Sequence, residues 1–395
     1  MKFFVKSVLC LLTLSSLFAV DVFACTTFCL KRGSEVLFGK NYDWMIGDGL
    51  IFVNRRGVAK TAMSGGTNSA GWTSRYGSIT FNQYGRENPS GGMNEAGLVV
   101  ELIWLDDTSY PAADLRPTVD TLEWIQYQLD NFASVDEVVK ASEYLRISSF
   151  VKLHYLVGDR NGNSSSIEFL NGKLVVHAGD KMPVSALAND TYEKSWAYAK
   201  TIESFGGARK LPQGSNSLDR FTRAALKVRE FEKEPATKNP VDYAFAVLDD
   251  VAQKGSTQWS IVYDQKAAII YFRTMASREI KIIDAKAFDY SCGSAVKILD
   301  VNTNKGGDVR FSFVDYTPKA NRDLIERSFN GTEFLRQVPA STRDEFAGHV
   351  ENFVCAGGTA IKKPSRETQA QVEPLFVIFP LYYVFVKAQS LFEGN

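Results

Sequence analysis

The sequence predicts a single layered domain of the α+β class, on three observations. Strand patterns and helix patterns come in separate blocks, strand blocks recur toward both ends with helices between, and no Gly-, Ser- or Pro-rich linker or internal repeat divides the 395 residues. The composition agrees, with 45% hydrophobic residues, 23% charged residues, and 45 Lys plus Arg against 45 Asp plus Glu. That balance builds an ordinary globular core and excludes collagen-like, coiled-coil and disordered classes. A formal net charge of zero supplies no basic stripe for phosphates, which argues against a nucleic-acid partner.

The first block is strand-like. Thr26 to Leu30, Glu35 to Phe38, Leu50 to Val53 and Gly97 to Leu105 are rich in β-branched, aromatic and Leu residues, with Gly33-Ser34 as the turn of a first hairpin. Helices follow. Pro117 to Leu129 sets Val119, Leu122, Ile125 and Leu129 at helical spacing, and Ser134-Val135-Asp136-Glu137 is a capping box opening a second helix through Leu145. Strands return at Leu153 to Val157, Ser166 to Leu170 and Lys173 to His177, the last two joined by an Asn171-Gly172 turn. Thr191 to Ile202, Leu218 to Glu232 and Val241 to Val251 read as helices. Gln258 to Tyr263, Ala267 to Phe272 and Glu279 to Ile283 then read as a strand meander. Beyond Lys305 the pattern is weaker: Val309 to Phe313 reads as a strand and Thr342 to Glu351 as a helix, either an elaboration of the same domain or a separate lobe.

The first 24 residues read as a cleaved secretory signal, with Lys2 and Lys6 ahead of an apolar stretch from Val8 to Val20 and a small residue, Ala24, at the cleavage point. The 13-residue stretch is shorter than the roughly 20 residues a membrane helix needs. A periplasmic or secreted chain beginning at Cys25 is expected, running as one domain from 25 to 395. It would keep 43 basic and 44 acidic groups in 371 residues. In an oxidising compartment Cys29, Cys292 and Cys355 could pair, without the sequence fixing which. Leu375 to Val386 is apolar but only 12 residues long and interrupted by Pro380, so a buried strand or subunit contact is expected there rather than a membrane span.

Familiar catalytic patterns are missing. The chain has three histidines, His154, His177 and His349, the first two inside alternating strand patterns that favour structural roles. It has no G-x-S-x-G, H-E-x-x-H, P-loop or G-x-G-x-x-G element. A cysteine at a new N-terminus needs none of these, because its own α-amino group can take the thiol proton. Such a site needs a carboxylate to hold the amine, cations to favour thiolate and donors for an oxyanion.

Five segments carry a resemblance in chain order: Cys25-Thr26, Phe38-Gly39-Lys40-Asn41-Tyr42-Asp43, Gly92-Met93-Asn94-Glu95-Ala96-Gly97-Leu98, Leu187-Ala188-Asn189-Asp190-Thr191-Tyr192 and Asp219-Arg220-Phe221-Thr222-Arg223. Together they resemble the choloylglycine hydrolase family, which contains conjugated bile acid hydrolases and penicillin V acylases. The resemblance implies the four-layer αββα fold of N-terminal-nucleophile hydrolases and hydrolysis of a small-molecule acyl amide without metal or cofactor. A homotetramer is common among such relatives. By position, Cys25 is the nucleophile, Asp43 orients its amine, Asn189 donates to the oxyanion and Arg220 lies near the sulfur. Trp104 falls where the family supplies a backbone N–H to the oxyanion and a side chain facing substrate. Lys40 stands where family members usually carry Arg, giving a point charge without the planar fork. Trp104 replaces an asparagine or tyrosine, which suggests an acyl group other than a steroid.

Local readings stand beside these. Asp43-Trp44 reads as a turn, Asn94 with Gly97 as a hairpin turn that positions the strand carrying Trp104, and Arg220 with Arg223 as a solvated helix face. Val22-Phe23-Ala24-Cys25 also approximates a lipoprotein signal, in which acylation would remove both nucleophile and base. The alternatives within the enzyme class are a bile salt hydrolase and an N-acyl-homoserine lactone acylase. Outside it stands a lipid-anchored envelope protein that binds acylated ligands.

Overall fold

The computed structural model describes residues 25–64, 66–233 and 239–357. The expected signal segment and the apolar stretch Leu375 to Val386 lie outside the described residues. β1 (Thr26–Arg32) and β2 (Glu35–Asp43) form the expected hairpin, its turn made by Gly33 at φ +57°. Both strands are buried almost throughout, the polar residues Thr26, Lys40, Asn41 and Asp43 included. Gly39 faces the Phe28 ring so closely that a β-carbon there would lie 2.3 Å from Cζ. Glycine at this point of the Phe38-Gly39-Lys40 segment is a packing requirement.

The hairpin sits inside a seven-stranded sheet ordered Ala186–Leu187, β1, β2, Thr257–Asp264, Ile269–Thr274, Lys281–Asp284, Gly307–Asp308. A nine-stranded antiparallel sheet faces it. From Lys173–Ala178 at one edge it passes through Ser164–Leu170, Leu153–Gly158, Val99–Trp104, Gly91–Asn94, Ser78–Asn82, β3 (Leu50–Asn54) and Lys297–Asp300 to Val314–Asp315. Between the sheets the rings of Phe38 and Tyr263 meet at 6.2 Å and those of Phe81 and Phe272 at 5.4 Å, both edge to face.

Helices cover the two outer faces. α1 (Thr121–Asn131) and α2 (Val135–Tyr144) lie on the nine-stranded sheet. α3 (Tyr192–Ala199) packs on α4 (Ser217–Lys233), which with α5 (Pro240–Asp250) covers β1 and β2. This is the four-layer αββα arrangement of N-terminal-nucleophile hydrolases. Ser134 caps α2 through the expected reciprocal box with Glu137. The first helix begins later than its periodicity suggests, because Asp120 caps it and Thr118–Val119 pairs in parallel with Arg146–Ile147. Asn171 and Gly172 both take positive φ, 53° and 72°, as a two-residue hairpin turn requires.

The chain beyond residue 305 departs from expectation. Val309 to Phe313 is not a strand: Arg310–Ser312 is a 3-10 turn. Pairing with Lys281 and Ile282 ends at Asp308, whose carboxylate accepts from the Arg310 N–H at 3.0 Å and turns the chain. Val309 is therefore buried while Phe311 is 85% exposed, although their spacing suggests one face. The expected helix near Thr342 is α7 (Ala340–His349), and an unforeseen α6 (Pro318–Gly331) precedes it. Thr317 caps α6, Pro318 opens it, and Leu324, Ile325 and Phe329 point inward. Among the described residues no helix is long and apolar enough to cross a membrane.

Candidate active site

The hairpin register brings the two ends of the site together. Cys25 directly precedes β1, and pairing of Thr26 with Asn41 sets it beside the last residues of β2. Its Sγ lies 3.9 Å from the Asp43 carbonyl oxygen, and the residue is buried. On the other side of β2, Thr257 pairs with Asp43 and its hydroxyl donates to Oδ1 at 2.5 Å. Oδ2 of Asp43 is buried and has no hydrogen-bond partner among the described residues. Burial raises the Asp43 carboxyl to about 6, against the pull of Thr257, Arg220 and Lys40. Burial also pushes the Cys25 thiol up, while Lys40 and, less strongly, Arg220 act in the opposite direction.

Arg220 comes from the first turn of α4 and is itself buried. Its Nε donates to Ser215 O at 2.9 Å, fixing the plane of the guanidinium. Nη1 donates to Cys25 O at 2.8 Å and to the Thr26 hydroxyl. Nη2 donates to Asn189 Oδ1 at 2.9 Å, and Asn189 Nδ2 donates to Trp104 O at 2.9 Å. A fork of five donors can bridge β1 and the Asn189 loop in this way, where an ammonium could not. Arg220 is thus a buried bridge, and its fellow Arg223 is also buried, paired with Asp250 at 3.1 Å, so the solvated-face reading of this helix is incorrect.

Lys40 points into the space between the sheets. It is fully buried, donates to Leu102 O and stands 3.8 Å from Glu101 Oε2. Glu101 also accepts from Tyr263 OH at 2.6 Å, and burial raises its carboxyl to about 7. Lys40 is therefore joined to the strand that carries Trp104 and acts on the sulfur through its field.

The structure brings Cys25, Asp43, Asn189, Arg220 and Trp104 into one connected cluster, with Lys40 behind it. Thr257 and Glu101 escaped the sequence reading, because nothing local distinguishes a threonine 214 residues from its carboxylate partner. Asn94 makes the expected turn: its Oδ1 accepts from Ala96 N and Leu98 N, both at 3.0 Å, and its Nδ2 donates to Leu129 O and Phe132 O. His154 is buried between Glu168 and Ala188 O, and His177 lies 3.5 Å from the same Glu168. Cys292 and Cys355 are disulfide-bonded, whereas Cys29 is a buried free thiol that burial pushes well up. Among the described residues no group of three or more His, Cys, Asp or Glu side chains could hold a metal ion.

Residues 25–297 match the family described as linear amide C–N hydrolases, choloylglycine hydrolase family. The chain is 29% identical over 288 residues to a penicillin V acylase of Pectobacterium atrosepticum, covering 62% of this chain and 76% of that one. Among solved structures, a penicillin V acylase from Agrobacterium tumefaciens aligns with a TM-score of 0.67 at 30% identity, covering 74% of this chain and 98% of that one. A variant of conjugated bile acid hydrolase from Clostridium perfringens aligns with a TM-score of 0.60 at 21% identity, over 71% and 98% of the two chains, a likeness of fold.

Proposed function

We infer the chemistry from the premise that this chain belongs to the choloylglycine hydrolase family of linear amide C–N hydrolases. It is an amidohydrolase of the penicillin V acylase-like kind. In our reading Cys25, once residues 1–24 are removed, is the nucleophile. The observation that carries this reading is Asp43, one carboxylate oxygen held by Thr257 and the other buried beside Cys25 without a partner among the described residues. An α-ammonium released at Cys25 completes that carboxylate, and Asp43 then holds the amine in place.

In its neutral form the α-amine takes the thiol proton, and the sulfur attacks the amide carbonyl. The proton passes to the leaving nitrogen as the C–N bond breaks, leaving a thioester. The amine then takes a proton from water, whose oxygen attacks the thioester and releases the acid and the thiol. Asn189 and the Trp104 backbone N–H stabilise the oxyanion of both steps. Lys40 and Arg220 favour the thiolate.

The indoles of Trp44 and Trp104, 6.4 Å apart, favour a flat aryloxyacetyl or arylacetyl group over a steroid. The signal-like first 24 residues and the disulfide support a periplasmic or secreted enzyme. Intact and N-terminal peptide mass of the exported protein, with turnover of penicillin V, a glycine-conjugated bile acid and acyl-homoserine lactones, tests the reading. The expected result is an unmodified Cys25 terminus and a preference for the phenoxyacetyl amide, lost in Cys25→Ala. A diacylated, N-acylated Cys25 overturns the mechanism, and a clear preference for the bile acid overturns the substrate class.

A further inference from the structure

α6 and the turn after it lie beyond the residues that match the family, which end at 297. They nevertheless reach the site. The 3-10 turn Glu333–Leu335 presents Phe334, whose ring meets that of Trp44 edge to face at 6.5 Å and 88°. Trp44 follows Asp43 in sequence and has Trp104 on another side at 6.4 Å. Its indole N–H donates to Tyr84 OH at 2.7 Å, and that hydroxyl is 2.8 Å from the Thr332 hydroxyl. An indole nitrogen only donates, so Tyr84 accepts from Trp44 and has its own hydrogen for Thr332. Tyr84 stays neutral, because burial raises it to about 12. Thr332 is fully buried and follows the end of α6.

The helix is seated firmly enough to transmit this. Ser328 Oγ donates to Gln83 O at 2.6 Å, Asn321 Oδ1 accepts from Arg86 N at 2.8 Å, and Arg327 Nε donates to Asp48 Oδ1 at 3.0 Å. Gly331 packs on Ile46 so closely that a β-carbon would lie 2.8 Å from Cγ2. These contacts fall on the segment after Asp43 and the segment after the strand Ser78–Asn82, between which Trp44 is held.

We propose that Phe334 and Thr332, from outside the family fold, set the acyl specificity: Thr332 orients Trp44 through Tyr84, and Phe334 closes the far side of an aromatic wall that takes a flat ring and turns away a long straight chain. This rests on the amidase reading above. Phe334 is a specificity residue and Thr332 a positioning residue; neither touches the reacting atoms.

The test compares kcat/KM for penicillin V and for a decanoyl-homoserine lactone in wild type, Phe334→Ala, Phe334→Leu, Thr332→Val and, as a control, Phe311→Ala, an exposed change in the same C-terminal region. In Phe334→Ala the ratio of phenoxyacetyl to decanoyl is expected to fall at least tenfold, mainly through KM for penicillin V. Phe334→Leu is expected to fall between, Thr332→Val to move the same way by about threefold, and Phe311→Ala to leave the ratio unchanged. Loss of folding alone lowers both substrates together, so an unchanged ratio in Phe334→Leu and Thr332→Val overturns the proposal whether or not Phe334→Ala folds. Wild type that prefers the decanoyl amide also overturns it. Wild type that hydrolyses neither removes the amidase reading and the proposal together, an outcome distinct from turnover with an unmoved ratio.

Discussion

Asn189 has its side chain tied at both ends, its oxygen to Arg220 and its nitrogen to Trp104 O. Its amide is thereby fixed before any substrate arrives, the condition under which a donor stabilises developing charge without reorganising. Asn189→Ala is expected to lower kcat by about 10²–10³ with circular dichroism unchanged, and an unaltered kcat sinks the assignment. Asp43 makes the second prediction. Its carboxyl is raised from the usual range to about 6 by burial, so in the processed chain we propose, acid protonates it and releases its hold on the Cys25 ammonium. The neighbouring ammonium itself pulls the value down. The acid limb of kcat/KM is therefore expected at or below pH 6, with activity lost as pH falls, and Asp43→Asn is expected to remove that limb at a much lower rate. A limb that persists unchanged in Asp43→Asn assigns it elsewhere.

Lys40 and Glu101 join two sheets. Lys40 belongs to β2 and Glu101 to the strand Val99–Trp104, and both are buried. Gly91 on the adjacent strand makes room for that carboxylate, since a β-carbon there would fall 2.1 Å from Oε2. At pH 8, where Glu101 is ionised, Glu101→Gln leaves the Lys40 charge without its counter-ion, a change expected to destabilise the fold on the order of 3 kcal/mol. Urea unfolding of the two proteins checks it, and equal midpoints refute it. Elements with a local cause were legible in the sequence: the Gly33 turn, the Ser134 capping box and the Asn171-Gly172 turn each follow from residues within a few positions. Short strands such as Val58–Thr61 and Gly71–Thr73 were not, because they exist only by pairing with Val354–Cys355 and with each other. α6 did leave a signal, the Thr317-Pro318 start and the inward spacing of Leu324, Ile325 and Phe329.

Across the whole molecule, the Cys292–Cys355 bridge joins residues at a sequence separation of 63 and closes a loop that contains α6, Phe334 and α7. Cys292→Ser with Cys355→Ser is expected to cost about 2–4 kcal/mol of stability, and to weaken the penicillin V preference if the loop holds Trp44 as proposed. Thermal unfolding with and without reductant measures the first part, and an unchanged midpoint contradicts it. The site residues named from sequence came from a resemblance in order along the chain, and the fold places five of them in one connected cluster. Thr257, Glu101 and Phe334 were illegible, because each matters only through a partner more than 60 residues away. The Oδ2 of Asp43, buried and without a partner among the described residues, bears finally on how the enzyme is made. While residues 1–24 remain attached, Cys25 has no free amine, and the fold carries the cost of a desolvated carboxylate oxygen. Cleavage in our reading supplies the missing ion and lowers the free energy of the folded chain alone. Maturation on this proposal is a ratchet: the processed protein is expected to melt at a higher temperature than its precursor, and the step that creates the nucleophile would also lock the shape around it.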